Sequence, residues 1–353
     1  MDNTLLQRLL DDAGAHDPEY GNGLSNHLPM AWLALARLGA GEARLREFGT
    51  DYIAGKRLRP ARPREPGLGP ESWTGSLGER EAWPRHLDFF EHWIAREGVA
   101  VVLAQALPVL LPGVAAAAFH GLIRTAAGVQ AGHGGEVAQG LAHWAAWYMP
   151  LGPHGPPGPP AATEAAASAR PRARARPDAG PPDRTDDPAA LLRELPAGTS
   201  SAGLIAARMR DAAADGAVSA VAARLLIDDH TPARLARAAA LAYAETGNFT
   251  ALHLVTGTHA MRVLAPFVAD EPGARHAAWR SFWPAYAHGV VAARLAPARA
   301  PLVLRAWPAL IAAALRSPDE HLIKLVDAAR EETRHYGGED WQRAASRAVM
   351  AAT

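Results

Sequence analysis

A chain of 353 residues is long enough to bury a substantial core and to hold one large or two medium domains. Its 36 basic and 36 acidic side chains cancel to a formal net charge of +0, so no overall field draws it to nucleic acid or to an anionic membrane. Cysteine is absent, which excludes disulfides, thiolate metal sites and a cysteine nucleophile.

The N-terminal MDNTLLQRLLDDAG is a short amphipathic stretch carrying acids, without the basic start and apolar core of a secretion signal. Beyond it Ala, Leu and Arg dominate and strict apolar/polar alternation is nearly absent. Patterns of period 3.6 therefore prevail, and the expected class is all-α, a multi-helix globular bundle. The spacing predicts helices over 27–38, 42–54, 79–96, 114–127 and 135–148. The apolar run 99–123 is interrupted by Pro108 and by Pro112-Gly113, so it reads as two buried helices. A membrane span needs about 18 or more uninterrupted apolar residues, and the expectation is a soluble, cytoplasmic protein.

Residues 151–188, rich in Pro, Gly, Ala and Arg, hold too little apolar surface to order themselves and are expected to be a disordered linker. The basic run 170–176 within them reads as a solvated tether, not a nucleic-acid contact. The linker would join an N-terminal helical half, 1–150, to a C-terminal half, 189–353, the two making one catalytic unit. Further helices are predicted over 231–246, 249–268, 301–315 and 318–336. The last has Ser317 as N-cap, Pro318 at its first position, and Asp319 and Glu320 in its first turn.

Only two of the 36 basic residues are lysines. Lys56 lies in the polar stretch GKRLRPARPREPG and reads as an ordinary surface residue. Lys324 lies on an apolar helix three residues after His321, about 60° around the axis and one turn along it, so the two can face one point. A buried lysine amine can become neutral and nucleophilic, which a guanidinium cannot do.

Of fifteen histidines, His16, His86, His92, His133, His154, His230 and His335 sit among charges, glycines or prolines and read as surface residues. His143, His276 and His288 lie beside aromatics and suit structural roles. His27, His120, His253, His259 and His321 are each set in an apolar helical segment. A buried imidazole needs partners for both nitrogens, and convergence on a metal ion satisfies several at once. Taken singly, each also fits a hydrogen-bonded core role. His253 and His259 are six apart, about 120° around a helix and roughly 9 Å along it, too far to chelate one ion comfortably. No HExxH pair or other ordered metal signature is present.

These same segments carry a resemblance. HLPMAWLALARLGAGEARLREFGTDYI, WTGSLGEREAWPRHLDFFEHWIAREG, LPVLLPGVAAAAFHGLIRTAAGVQ with LAHWAAWY, HLVTGTHAMRVL and DEHLIKLVDAARE are similar, in order, to the successive blocks of the questin oxidase-like family. That resemblance implies an oxygenase that opens a ring of an anthraquinone-like polyketide with O2. It further implies a mononuclear non-haem Fe(II) held by histidines and a carboxylated lysine. By motif these positions are His27, His120, His253 or His259 or both, His321, and Lys324. A carbamate on the lysine turns a long cation into a long anionic oxygen donor, which a nearby metal cation favours.

No GxGxxG follows a strand, so a Rossmann-type flavin or NADPH site is not encoded, and NADPH, where used, would serve to reduce iron or substrate. Trp32, Phe119, Trp144, Trp147, Phe249, Trp279, Phe282 and Trp283 are candidates for an aromatic-accepting pocket or for the core. Arg124, one turn after His120, could steady a phenolate or the carbamate, or form a structural ion pair. The expected partners are a small aromatic molecule and O2; oligomeric state is not encoded. Two rival readings stay open: a metal-free NADPH-dependent Baeyer–Villiger-type monooxygenase, and a helical protein that binds an aromatic metabolite.

Overall fold

A computed structural model describes residues 3–151, 183–198, 203–214, 216–268, 272–295 and 301–352. Among them the only sheet is a two-stranded antiparallel ribbon, β1 (Glu19–Tyr20) and β2 (Leu24–Ser25), and the rest of the regular structure is helical. The chain runs through α1 (Asn3–Ala13), the ribbon, α2 (Leu28–Leu38), α3 (Glu42–Lys56), α4 (Trp83–Glu97), α5 (Val99–Leu110), α6 (His120–Ala131) and α7 (Gly134–Ala146). It continues through α8 (Pro188–Glu194), α9 (Ile205–Ala213), α10 (Ala217–Ala222), α11 (Thr231–Thr246), α12 (Phe249–Leu264), α13 (Pro272–Ala293), α14 (Trp307–Arg316), α15 (Glu320–Tyr336) and α16 (Asp340–Ala351). The all-α class follows from the period of the apolar residues. No helix among the described residues is long and apolar enough to cross a membrane.

Helices α2, α6, α12 and α15 form a closed ring of contacts, α2 against α6, α6 against α12, α12 against α15 and α15 against α2. Each turns a face of buried Leu, Ile, Val, Met and Ala inward, the amphipathic solution to packing helix on helix. Around the ring, α7 backs α6 and is itself backed by α4, while α11, α13 and α16 cover α12 and α15.

Several boundaries differ from expectation for local reasons. Segment 99–123 is two helices, but Pro108 is accommodated inside α5, where its ring falls within the last turn. The second does not begin at 114. Ala117, Ala118 and Phe119 hold φ of 45°, 57° and 71°, a left-handed turn that α6 can follow only from His120. Such φ values cost about 1–2 kcal/mol per residue for side chains with a Cβ. The Phe119 ring is seated in the core against Gly257 and Gly289, where an added Cβ would come within 3.4 and 3.6 Å of it. Helix α15 starts at Glu320, not 318, because Asp319 is its cap: the Asp319 carboxylate accepts from the His321 N–H. Ser317 supports that cap from outside, accepting from the Asp319 N–H.

The expected linker falls mostly on 152–182, outside the described residues. Its last stretch is packed structure: Thr185 bridges to Leu225, and Asp187 caps α8, which starts at Pro188.

Candidate metal centre

The ring brings four imidazoles together, each near the N-terminal end of its helix. His27 is the N-cap of α2, His120 the first residue of α6, His253 lies in the second turn of α12, and His321 in the first turn of α15. Ring centroids lie 4.6 Å apart for His27 and His120, 4.7 Å for His27 and His321, 5.0 Å for His120 and His253, and 5.8 Å for His253 and His321. All but His321 are buried, and His321 is nearly so.

Two tautomers follow from acceptors that can only accept. His120 Nδ1 donates to the Ala117 carbonyl, and His253 Nδ1 donates to the Phe249 carbonyl at 2.9 Å. Both Nε2 atoms are then lone-pair donors, the usual second-sphere arrangement of a metal-binding histidine. The left-handed turn at 117–119 thus has a local result: it presents the carbonyl that orients His120.

His27 cannot be satisfied within the protein. Its Nε2 faces His120 Nε2 at 2.5 Å and its Nδ1 faces Glu320 Oε1 at 3.5 Å. A proton on Nε2 leaves a lone pair against the Glu320 carboxylate, whereas a proton on Nδ1 leaves two lone pairs in confrontation. His27 Nδ1 and His321 Nε2 are buried without hydrogen-bond partners, a cost of about 1–3 kcal/mol each. A cation held by the lone pairs removes both conflicts, so the donor set fits a metal ion. His27, Glu320 and His321 together offer ligand atoms within 4.8 Å of one another.

Electrostatics agree. Burial, and after it the neighbouring Lys324 and imidazoles, holds His27 well below the usual histidine range. Burial, then His253 and Lys324, does the same to His120, while burial and His321 press His253 down to about 3. His321 is lowered by burial and then Lys324, against the pull of Asp319. Neutral imidazoles are the ligating form. Lys324 is itself buried, and burial lowers its amine to about 8 against the opposing charges of Glu320 and Asp319. The positive ends of four helix dipoles further disfavour protonation of these groups.

The cluster floors a cavity of about 460 Å³ whose walls include Tyr20, Leu24, Lys56, Arg80, Trp147, Arg208 and Phe249. Of the aromatic candidates, only Trp147 and Phe249 line it; Trp32, Phe119, Trp144, Trp279, Phe282 and Trp283 are core.

Two expected residues lie elsewhere. His259 is engaged at both nitrogens, Nδ1 with Glu332 Oε1 at 2.5 Å and Nε2 with the Gln130 amide at 3.3 Å. Arg124 makes a fork with Glu136 (2.6 and 3.0 Å), both side chains 1 % exposed, and does not line the cavity. Two residues at the site escaped the sequence reading. In the sequence Glu320 reads only as a partner of the helix dipole, although its i,i+4 spacing to Lys324 places both on one face. Lys56 is no ordinary surface lysine: its Nζ lies 3.1 Å from Glu320 Oε1 and over the rings of Tyr20 and Tyr52. Rarity of lysine was the signal available for it. His86 and His133, expected at the surface, are buried; His86 bonds Ser76, and His133 caps α7.

No curated protein sequence matches the chain. A family model does, under the description questin oxidase-like, over residues 24–329. That span takes in His27, His120, His253, His321 and Lys324 together, and the chain belongs to the questin oxidase-like family.

Proposed function

We propose that the chain, by family membership an oxidoreductase of the oxidase or oxygenase kind acting on a small molecule, is a cytoplasmic non-haem iron oxygenase that oxidises and opens a ring of a polycyclic aromatic, anthraquinone-like substrate with O2. The observation that carries this reading is the gathering of His27, His120, His253 and His321, neighbouring ring centroids 4.6 to 5.8 Å apart, at the floor of a cavity of about 460 Å³, with His27 Nδ1 and His321 Nε2 buried without hydrogen-bond partners.

His27, His120, His253 and His321 would hold the iron, with an anionic oxygen from Lys324 as carbamate. Bound there, Fe(II) supplies Lewis acidity and the electrons with which O2 reacts. The chain's own residues do the rest. Ala117 and Phe249 carbonyls fix two ring orientations. Tyr20, Trp147 and Phe249 offer faces to a flat aromatic, and the apolar wall keeps water from the reacting carbons. The lowered Lys324 amine has a neutral fraction that adds CO2.

Incorporation of both oxygen atoms needs no further electrons. Incorporation of one, with the other released as water, takes two, for which NADPH is the source to test. Anaerobic loading with Fe(II) followed by metal analysis is expected to give about one iron per chain, and only trace iron would overturn the proposal. Lys324→Arg should abolish loading while the fold persists. A second ligand set is favoured by the position of Glu320 within 3.5–3.7 Å of the Nδ1 atoms of His27 and His321. If Lys324→Arg still loads iron and Glu320→Gln does not, Glu320 is the anionic ligand. Turnover by chelated protein would instead favour metal-free NADPH chemistry.

A further inference from the structure

Three cationic side chains line the cavity, and they are not equivalent. Lys56 is matched by Glu320 at 3.1 Å. Arg80 faces Glu19 at 4.0 Å and lies 5.4 Å over the Trp147 ring. Arg208, the fourth residue of α9, has no carboxylate within ion-pair distance among the described residues. Its Nη1 donates to the Ala292 carbonyl at 3.0 Å and its Nη2 to Thr250 Oγ at 3.0 Å, while its Nε is buried without a partner.

We propose that Arg208 determines specificity by reading an acidic oxygen, a phenolate or carboxylate, carried on the ring system of the substrate. The proposal rests on the reading of this cavity as the substrate site. Both anchors of the guanidinium are fixed structure: Thr250 is in the first turn of α12, one turn before His253, and Ala292 is in the last turn of α13. The group is therefore held in place beside the histidines before any ligand arrives, and no rotamer freedom has to be lost to use it. Arg208 acts on His253 electrostatically, which puts its charge close to the metal centre.

Among the described residues no carboxylate balances that charge. Burial and the neighbouring Arg294 both disfavour it. The acids in the same wall are taken: Glu320 by Lys56, Glu19 by Arg80, and Asp319 by the His321 amide it caps. The backbone adds to the imbalance, because Leu204, Ile205 and Ala206 present the N-terminal turn of α9 to the same cavity. An unpaired, half-buried guanidinium in a largely apolar cavity wants a planar anionic acceptor, and a ring-borne phenolate or carboxylate supplies one. Exposed Leu24, Leu204 and Phe249 at the same cavity suit the apolar remainder of such a molecule.

The test is binding to the iron-loaded enzyme without O2, read by quenching of tryptophan fluorescence. Three probes share one scaffold: anthraquinone-2-carboxylate, 2-hydroxyanthraquinone in mildly alkaline buffer, and uncharged 2-methylanthraquinone. At least one anionic probe is expected to bind about ten-fold or more tighter than the uncharged one, and which it is separates carboxylate from phenolate. Arg208→Gln should erase that preference while leaving affinity for 2-methylanthraquinone unchanged. Retention of the preference in Arg208→Gln overturns the assignment, as does its absence from the unaltered enzyme. If none of the three probes binds, the cavity is not the aromatic site and the functional reading falls with it. Should Arg208→Gln fail to fold, Arg208→Lys decides. The ammonium cannot span both anchors, so a preference lowered about three-fold or more supports the assignment and an unaltered one overturns it.

Discussion

Helices α12 and α15 carry two buried polar clusters, and the pair is instructive because the same packing surrounds both. Near the helix starts, His253 and His321 join His27 and His120 beside Lys324, with buried ring nitrogens left unpartnered. Farther along, His259 and Arg262 of α12 meet Glu332 of α15 in a closed network with Gln130 of α6. Burial raises the Glu332 carboxyl, but hydrogen bonds from His259 and the charges of His259 and Arg262 hold it below its usual range. In the second cluster both His259 nitrogens and the Arg262 guanidinium are engaged by protein groups, with Glu332 Oε2 left without a hydrogen-bond partner, and the network binds its helices together. The first leaves His27 Nδ1 and His321 Nε2 unpartnered and opens on the large cavity. Donor chemistry is common to both; what separates them is whether protein groups engage the imidazole nitrogens.

The sharpest way to break this comparison is one alanine in each cluster. His253→Ala should reduce iron loading to background with little loss of stability. His259→Ala should keep iron and cost about 1–3 kcal/mol in urea unfolding, because it strands Glu332 and Arg262. The reverse pattern would show that the closed network is the functional one. A larger stability effect is expected at another closed pair. Glu136→Gln leaves the Arg124 guanidinium buried without its counter-charge, which costs about 3–5 kcal/mol and leaves iron loading intact. Iron loss in that variant at conditions where the fold persists would return Arg124 to the site.

Acid sensitivity separates the surrounding scaffold from the candidate metal centre. Burial presses His86 down to about 4, opposed by its bond to Ser76 and helped by Arg85. Its folded value lies below the unfolded value of about 6.5, so the unfolded chain binds more protons between the two. Stability is therefore full above about pH 6.5 and falls as pH drops toward 4, by on the order of 3 kcal/mol from this residue. His86→Gln should flatten that part of the profile. An unchanged slope in urea midpoints across this window would contradict the burial of a neutral ring.

Helix α11 could be read to its end residues, because Pro232 marks its first turn and Gly247 its left-handed C-cap. Apolar context likewise grouped five histidines, of which four share one cluster. The left-handed turn before His120 could not be read. Ala117 and Ala118 are helix formers locally, and Gly257 and Gly289, which admit the Phe119 ring, lie far along the chain. Lys56 and Glu320 were hidden for the same reason: each looks solvated among its neighbours, and only the docking of α3 near the start of α15 pairs them. His86 read as exposed because charges flank it, yet α4 turns it inward toward Ser76.

The smallest expected effect tests how the open cluster is held open. Asp319 accepts from the His321 N–H at 2.9 Å, and its Oδ1 lies 3.3 Å from His321 Nδ1. The same carboxylate therefore starts the helix and orients the ring of a proposed ligand. Asp319→Ala removes a helix cap, worth about 1 kcal/mol, and also frees the imidazole to rotate. Loss of such an orienting partner lowers metal affinity about 10–100-fold. Asp319→Asn keeps an oxygen for the backbone N–H, so stability should hold, while the weaker pull of a neutral amide on the ring gives an intermediate affinity. Iron titration beside urea unfolding reads the two effects separately. If affinity follows stability across both variants, Asp319 acts only as a cap. If affinity falls in Asp319→Asn while stability stays, orientation of His321 is a distinct job of the carboxylate, and the contrast between the open and closed clusters extends to the residues that support them.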